Sequence, residues 1–225
     1  MTESFISPFS LGRHDWFLKW NVPKKPPKHL MFMPAKNEQR ALHDLLQMEC
    51  MTEKQLRTHY QITKKQFRRL IGWGLLVPHS LKRGDQELNL FSLGYRYNGG
   101  YFNPNIVLAY DVEDVLVRCI FTEFLHRLQE QFTTPIECIH FERRESTFHV
   151  VINRQRYDVL VSRKDISDLH YQLANRYTAE DRVFIICTNV EQRRLLDASQ
   201  YQCKCRITDD ARIYGNENLL LKLNI

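Results

Sequence analysis

The stretch 37–93 constrains the fold of this chain most, because three short amphipathic segments in it are followed by two apolar segments around a turn signal. The first segment, 37–48, has Asn37 in the position of a helix N-cap. Its apolar residues recur at helical spacing and are Ala41, Leu42, Leu45 and Leu46. This segment is therefore predicted to be a helix that packs one face into a core.

The next two segments are predicted to be short helices that begin at threonine N-caps. Thr52 caps the second helix, and Glu53 lies in its first turn, where a carboxylate interacts favourably with the helix dipole. Thr63 caps the third helix. The residues predicted to be buried are Leu56 and Tyr60 in the second helix and Phe67, Leu70 and Ile71 in the third. Three compact helices joined by short turns are typical of a helix-turn-helix unit.

The opposite face of the third helix is basic. Lys64, Lys65, Arg68 and Arg69 follow the Thr63 cap. In helix-turn-helix proteins the N-terminal part of the second motif helix enters the major groove, where side chains contact phosphates and base edges. We therefore predict that Thr63 and these four residues bind DNA. The alternative interpretation is a solvated face that serves only solubility.

A hairpin is predicted after the third helix. The sequence Gly72-Trp73-Gly74-Leu75-Leu76-Val77 resembles the passage from recognition helix to strand in many winged-helix domains. Residues 88–93 are predicted to form the second strand, and residues 80–87 the loop, whose Gly84-Asp85 pair is a turn signal.

Two basic residues lie in this loop, where the wing of such a domain contacts the minor groove or a flanking phosphate. They are Lys82 and Arg83. Residues 37–95 are therefore predicted to be a winged-helix domain that binds double-stranded DNA.

The distribution of charge favours a nucleic-acid surface in the first half of the chain. Residues 1–110 contain 16 Lys and Arg and 8 Asp and Glu, a balance of +8, whereas residues 111–225 contain 16 and 18, a balance of −2. Together they give the net charge of +6. A surplus confined to one half provides the local field that a phosphate backbone needs.

Two further segments flank the predicted winged helix. Residues 1–36 form a basic, aromatic extension, and its prolines at 23, 26 and 27 disfavour a helix. The lysines of this extension either follow a DNA backbone or belong to a solvated linker; they are Lys24, Lys25 and Lys28. Residues 96–105 contain Gly-Gly and Asn-Pro and are predicted to be a linker. Nearby aromatic residues are interpreted as packing between domains, with base stacking as the alternative; they are Tyr95, Tyr97, Tyr101 and Phe102.

Residues 106–225 are predicted to be an α/β domain, which makes the fold class a two-domain α+β or α/β arrangement. The predicted strands are 106–110, 136–141, 147–152, 157–162, 182–188, 203–207 and 219–223, and the predicted helices are 112–132, 166–177 and 190–198. The uninterrupted apolar run 183–187, between two helices, predicts a strand that is covered on both faces.

The order helix, strand, hairpin, helix, strand, helix, strand resembles the restriction-endonuclease-like core. The sequences that carry the wider resemblance are Gly72-Trp73-Gly74-Leu75-Leu76-Val77, Tyr157-Asp158, His170-Tyr171-Gln172-Leu173 with Tyr177, and the segment 183–194. With the preceding winged helix, residues 37–215 resemble the replication-relaxation family of plasmids and other mobile elements, whose members pair these two modules. The resemblance implies a role in replication, DNA transfer or transcriptional control of a bacterial mobile element.

A metal-dependent nuclease of that fold needs one acidic residue on a strand and an acid-x-Lys sequence on the next, since two carboxylates hold Mg²⁺ and the lysine steadies the attacking water. Asp158 is a candidate for the first acid, but no acid-x-Lys follows on a strand, because Arg163-Lys164-Asp165 has the residue types in the wrong order. We therefore predict a degenerate core without catalysis and without a cofactor. The alternative is a Mg²⁺-dependent nuclease centred on Asp158 with Glu123 and Lys164.

The cysteines and the absence of membrane signals predict a cytoplasmic protein. Six cysteines lie mostly in apolar runs, as they do in reducing compartments, and only Cys203 and Cys205 are close enough to share one face of a strand. No second pair of Cys or His accompanies them at ligand spacing, so no metal site is predicted. The sequence has neither a secretory signal nor an apolar run long enough to span a bilayer.

These patterns predict a non-catalytic DNA-binding protein. Since its charge is near neutral, the α/β domain is expected to form a homodimer or to recruit a partner protein of replication, transfer or transposition. A protein-interaction adaptor, whose winged helix contacts protein in place of DNA, is a further alternative.

Overall fold

The structure, a computed structural model, is a mixed α+β chain with two sheets and seven α-helices among its described residues. The described residues are 9, 16–22, 33–95, 106–133, 136–142, 147–163, 166–196 and 200–215. The chain divides into a first unit, Gly12–Thr122, and a second unit, Glu123–Ile225 with Met1–Leu11. The predicted winged-helix segment 37–95 lies in the first unit, and the predicted linker 96–105 and strand 219–223 lie outside the described residues.

Up to Leu93, the first unit contains three helices and a hairpin in the predicted order. The elements of this part are β1 (Phe17–Lys19), α1 (Lys36–Met48), β2 (Met51–Thr52), α2 (Glu53–Tyr60), α3 (Lys64–Gly72), β3 (Leu76–Arg83) and β4 (Gln86–Leu93). The strands form one antiparallel sheet in the order β1-β3-β4-β2. The sequence did not predict β1 or β2, because each is too short to show a periodic pattern.

The start of α1 differs from the prediction. Its N-cap is Ala35 and not Asn37, because the carboxylate of Glu38 accepts a hydrogen bond from the Ala35 backbone N–H at 2.8 Å. Asn37 instead donates from its amide to the carbonyl oxygen of Tyr60 at 3.1 Å, which links α1 to the end of α2. The predicted threonine caps of α2 and α3 are confirmed.

The hairpin turn is shorter than predicted. The strand pairing runs to Arg83 and Gln86, which leaves only Gly84 and Asp85 in the turn, and Gly84 has φ 53. Residues 80–87 are therefore mostly strand, since their backbone groups continue the ladder up to the turn. Both basic residues of the predicted loop lie on β3.

The predicted strand 106–110 is wrong, because Ile106–Ala109 is a 3₁₀ helix. Asp111 and Asp114 cap the next helix, α4 (Val112–Gln131), reciprocally: each backbone N–H donates to the other side chain. This reciprocal cap fixes where α4 begins. No helix of the described residues is long and apolar enough to cross a membrane.

The second unit is built on a mixed sheet. Its elements after α4 are β5 (Glu137–Glu142), β6 (Thr147–Ile152), β7 (Gln155–Val161), α5 (Ile166–Arg176), β8 (Arg182–Cys187), α6 (Val190–Leu195), β9 (Lys204–Asp209) and α7 (Asp210–Tyr214). The strand order is β5-β6-β7-β8-β9, in which the first two pairings are antiparallel and the last two are parallel. Residues 183–187 are all buried, which confirms the prediction for β8.

Two details of this unit depart from the predictions. The connection between β6 and β7 is the two-residue turn Asn153-Arg154 and not a four-residue loop, because both residues adopt the positive φ values of a tight hairpin turn, 52 and 66. The helix α6 ends at Leu195, three residues before the predicted end, and α7 was not predicted.

Candidate nucleic-acid interface

The third helix begins at a fully formed cap. The Thr63 hydroxyl accepts from the Gln66 backbone N–H at 3.3 Å, and the Gln66 side chain accepts from the Thr63 backbone N–H at 2.9 Å. This reciprocal pair satisfies two backbone donors of the first turn. Thr63, predicted to contact DNA, therefore has a structural role that fixes where the basic helix starts.

One side of α3 packs against the hairpin. The ring of Phe67 stacks on that of Phe91 in β4, with 4.8 Å between centroids and an angle of 25° between planes. Leu70 is 1% exposed beside it, whereas Ile71, predicted to be buried, is only partly so. These contacts hold α3 against the sheet and turn its other side to solvent.

Three of the four predicted basic residues form that solvent side. Lys64, Lys65 and Arg68, here called the basic face, are exposed. Lys64 and Arg68 are four residues apart and Lys65 and Arg68 three, so the three side chains are neighbours on the helix surface. Among the described residues none of them is in an ion pair, and their charge is available to a polyanion.

Arg69 is placed differently. Its guanidinium binds the carboxylate of Glu38, which is 0% exposed, and it lies over the Trp73 ring at 5.2 Å from the centroid. The charge of Arg69 is therefore neutralised inside the unit. The sequence did not reveal this pairing, because 31 residues separate the two partners.

The two basic residues of the hairpin are also engaged. Lys82 lies 3.4 Å from the carboxylate of Glu87, its cross-strand neighbour, but both side chains are about half exposed, so the pair is weak. The guanidinium of Arg83 lies over the Trp16 ring at 5.0 Å from the centroid. Lys82 thus keeps an accessible charge, and Arg83 helps to hold β1 against β3.

The residues of the alternative nuclease site are not arranged as an open metal site. Asp158, on β7, is bound by His149 Nδ1 at 2.7 Å and by Arg156 Nε at 3.3 Å. Glu123 lies on α4 and is partly buried, while Lys164 lies outside the described residues. The described residues contain no group of three or more His, Cys, Asp or Glu side chains placed to hold a metal ion.

The pairing of His149 with Asp158 was not predicted from the sequence, although the two residues lie at equal distances along the chain from the Asn153-Arg154 turn. The register makes His149 the neighbour of both Asp158 and His140. Beside it, an open groove of about 590 Å³ is lined by Gln155, Arg156, Asp158, Glu180, Asp181 and Arg182. Both acidic and basic groups line it, so the groove has no single charge that selects a polyanion.

The cysteine pair shares one face, as predicted. The Sγ atoms of Cys203 and Cys205 lie 3.1 Å apart, and both residues are buried. The hydrogen bond between them lowers the pKa of Cys203 and raises that of Cys205. The Cys205 thiol therefore stays protonated at neutral pH.

Comparison of the chain with protein-family models, with curated proteins and with solved structures found no match.

Proposed function

We propose that this chain is a non-catalytic DNA-binding protein whose first unit contains a winged helix at residues 37–95. The observation that carries the proposal is the basic face, in which three accessible cations lie on one side of a capped helix. The opposite side of that helix is fixed to a hairpin through Phe67 and Phe91. A capped helix that presents exposed cations suits contact with phosphates and base edges in a major groove.

The hairpin extends this surface. Lys82 keeps a half-exposed ammonium group near the Gly84-Asp85 turn, where it can reach a flanking phosphate. Arg69 and Arg83 act differently in this proposal: they position α3 and the hairpin and do not supply charge to the DNA. The contacts to DNA thus come mainly from Lys64, Lys65, Arg68 and Lys82.

The resemblance to the replication-relaxation family motivates a role in replication, DNA transfer or transcriptional control of a mobile element. In this proposal the second unit catalyses no reaction, since the carboxylate of Asp158 is hydrogen-bonded to His149 and Arg156. It serves to form a dimer or to recruit a protein partner.

The proposal is tested by fluorescence anisotropy with a blunt DNA duplex at salt concentrations from about 50 mM to about 200 mM. Each lost phosphate contact reduces the slope of log affinity against log salt by about 0.9. The variant K64A/K65A/R68A is expected to reduce the slope by up to about 2.7 and to bind weakly at every salt concentration. A matched variant in the second unit, R176A/K204A/R206A, removes the same charge from exposed residues and should bind like the wild type. If the two triple variants bound the duplex with equal affinity, α3 would not be part of the DNA interface.

A separate assay tests the absence of catalysis. Supercoiled DNA is incubated with the protein and Mg²⁺ or Mn²⁺, and nicking is followed on a gel. The proposal requires no nicking above a protein-free control. Nicking that the wild type shows and D158A does not would overturn the proposal in favour of a Mg²⁺-dependent nuclease centred on Asp158.

A further inference from the structure

One face of the sheet in the first unit carries an exposed aromatic ring and two exposed lysines at neighbouring positions. Directly paired residues of antiparallel strands share a face, and the register pairs Phe17 with Lys82 and Lys19 with Ser80. Ser80 is in turn paired with Asn89 on β4. We call Phe17, Lys19, Ser80, Lys82 and Asn89 the sheet patch.

The sheet patch continues the surface of α3. Pro78 and Phe91 are paired two residues further along the same strands, so they lie on the same face as Ser80 and Lys82. Phe91 is the residue on which Phe67 of α3 stacks. The helix therefore covers one end of this face, and the patch forms its uncovered end.

Phe17 stands apart from the other aromatic residues of its segment. Trp16 contacts Arg83, and Trp20 packs edge-on against His79 at 4.6 Å between centroids, both on the opposite face of the sheet. Phe17 is 65% exposed, although a packed phenylalanine would bury most of its surface. Its ring is thus a flat apolar surface in solvent, with Lys82 as its cross-strand neighbour and Lys19 two residues along the same strand.

We propose that the sheet patch binds an unpaired nucleobase of single-stranded nucleic acid that adjoins the duplex held by α3. The base stacks on the Phe17 ring, the ammonium groups of Lys19 and Lys82 neutralise the flanking phosphates, and the Ser80 hydroxyl offers a hydrogen bond. The Asn89 amide nitrogen already donates to Glu53 at 2.9 Å, so Asn89 offers its amide oxygen. Aromatic rings beside cations are the usual means of holding single strands without sequence preference. This inference rests on the proposed function, because both surfaces contact one nucleic acid.

The composition of the patch favours nucleic acid over a protein partner. A single ring among charged and polar residues provides little apolar area for the core of a protein interface. The two lysines match a phosphate backbone. Two carboxylates also adjoin the patch: Glu87 lies 3.4 Å from Lys82, with both side chains about half exposed, and Glu53 accepts from the Asn89 amide at 2.9 Å. The patch therefore offers a stacking surface beside two accessible ammonium groups.

The test compares the full-length protein on a blunt duplex and on the same duplex with a thymidine overhang. The wild type is expected to bind the overhang probe more tightly, and F17A to lose that advantage, about tenfold. F17Y keeps a ring and should retain it. V22A removes another exposed apolar side chain, 68% exposed and outside β1, and should behave like the wild type. With 5-iodouracil in the overhang, irradiation should cross-link the peptide that contains Phe17.

The outcomes separate this inference from the proposed function. A wild type that binds both probes equally, or an F17A that keeps the overhang advantage, overturns the sheet patch and leaves duplex binding by α3 intact. Loss of blunt-duplex binding in K64A/K65A/R68A, together with loss of the overhang advantage in F17A, supports both. Overhang binding that depends on Phe17 in a protein that ignores blunt duplex supports the patch and overturns the proposed function.

Discussion

Arg118 donates two hydrogen bonds to one carboxylate oxygen of Glu49, at 3.0 Å from Nε and 2.8 Å from Nη2. The arginine is 1% exposed, its guanidinium lies 3.9 Å from the centroid of the Tyr110 ring, and the Tyr110 hydroxyl donates to the same oxygen. Glu49 follows the last turn of α1 with φ 64, a conformation that favours glycine. A glutamate at this position is explained by the buried arginine that its carboxylate neutralises.

Replacement of Glu49 by glycine is therefore expected to destabilise the first unit although it relaxes the backbone. E49G leaves Arg118 buried without its main anion, which costs about 3 kcal/mol or more. All three tryptophans, Trp16, Trp20 and Trp73, lie in this unit, so their fluorescence during urea unfolding measures its stability alone. The matched variant is Q61G: Gln61 ends α2 with φ 56 and is exposed, and the change should stabilise by up to about 1 kcal/mol. A lower urea midpoint for Q61G than for E49G would contradict this account.

The stability of the first unit should fall in mild acid because of His79. Burial lowers the pKa of His79 from 6.5 to about 4. Its Nδ1 accepts from the Asn21 backbone N–H at 3.0 Å, so Nε2 carries the proton and donates to the Ser92 hydroxyl at 2.7 Å. Between pH 6.5 and about 4 the imidazole of His79 is protonated in the unfolded chain but remains neutral in the folded chain. The free energy of unfolding should therefore fall by about 3 kcal/mol over this range and stay level above it.

The variant H79N isolates this effect, since its amide does not titrate. Followed by tryptophan fluorescence, H79N should have a lower free energy of unfolding than the wild type at neutral pH. In the acid range this free energy should depend less on pH than it does in the wild type. H43N, which replaces an exposed histidine of α1, should keep the full dependence. If H79N and H43N gave parallel pH profiles, another group would be responsible.

Neighbouring arginines on α3 should separate folding from binding. R69A leaves the buried carboxylate of Glu38 without its cation, and the free energy of unfolding should fall by about 2 kcal/mol. R68A removes an exposed charge and should change stability by less than about 0.5 kcal/mol, yet weaken duplex binding more than R69A. Urea unfolding and anisotropy on the same two proteins measure both quantities. The reverse order in either measurement would return Arg69 to the interface.

The sequence predicted those features that depend on local patterns. The caps at Thr52 and Thr63 and the apolar stripe of α2 follow from residue type and spacing, and the buried run of β8 follows from its continuity. Features that depend on distant partners were not predictable. The two residues of β2 form a strand only because β4 lies beside them. Arg69 is not part of the basic face, because the fold places the carboxylate of Glu38 next to its guanidinium.

The carboxyl edge of the parallel strands in the second unit contains a buried ion pair whose rupture should be costly. Arg163, just after β7, donates to Asp210, just after β9, at 2.6 and 2.8 Å, and both side chains are 0% exposed. Cys187 ends the intervening strand, and burial raises the pKa of its thiol to about 12, so the thiol does not share the charge. D210L leaves the buried guanidinium of Arg163 without its carboxylate partner, so the free energy of unfolding of the second unit should fall by about 3 to 5 kcal/mol. R163M/D210L removes both charges and should recover most of that loss, since apolar residues of similar volume replace a buried pair well. Hydrogen exchange of the β8 amides measures the stability of the second unit directly. If these amides exchanged as fast in the double variant as in D210L, the loss in D210L would not come from the unpaired charge of Arg163.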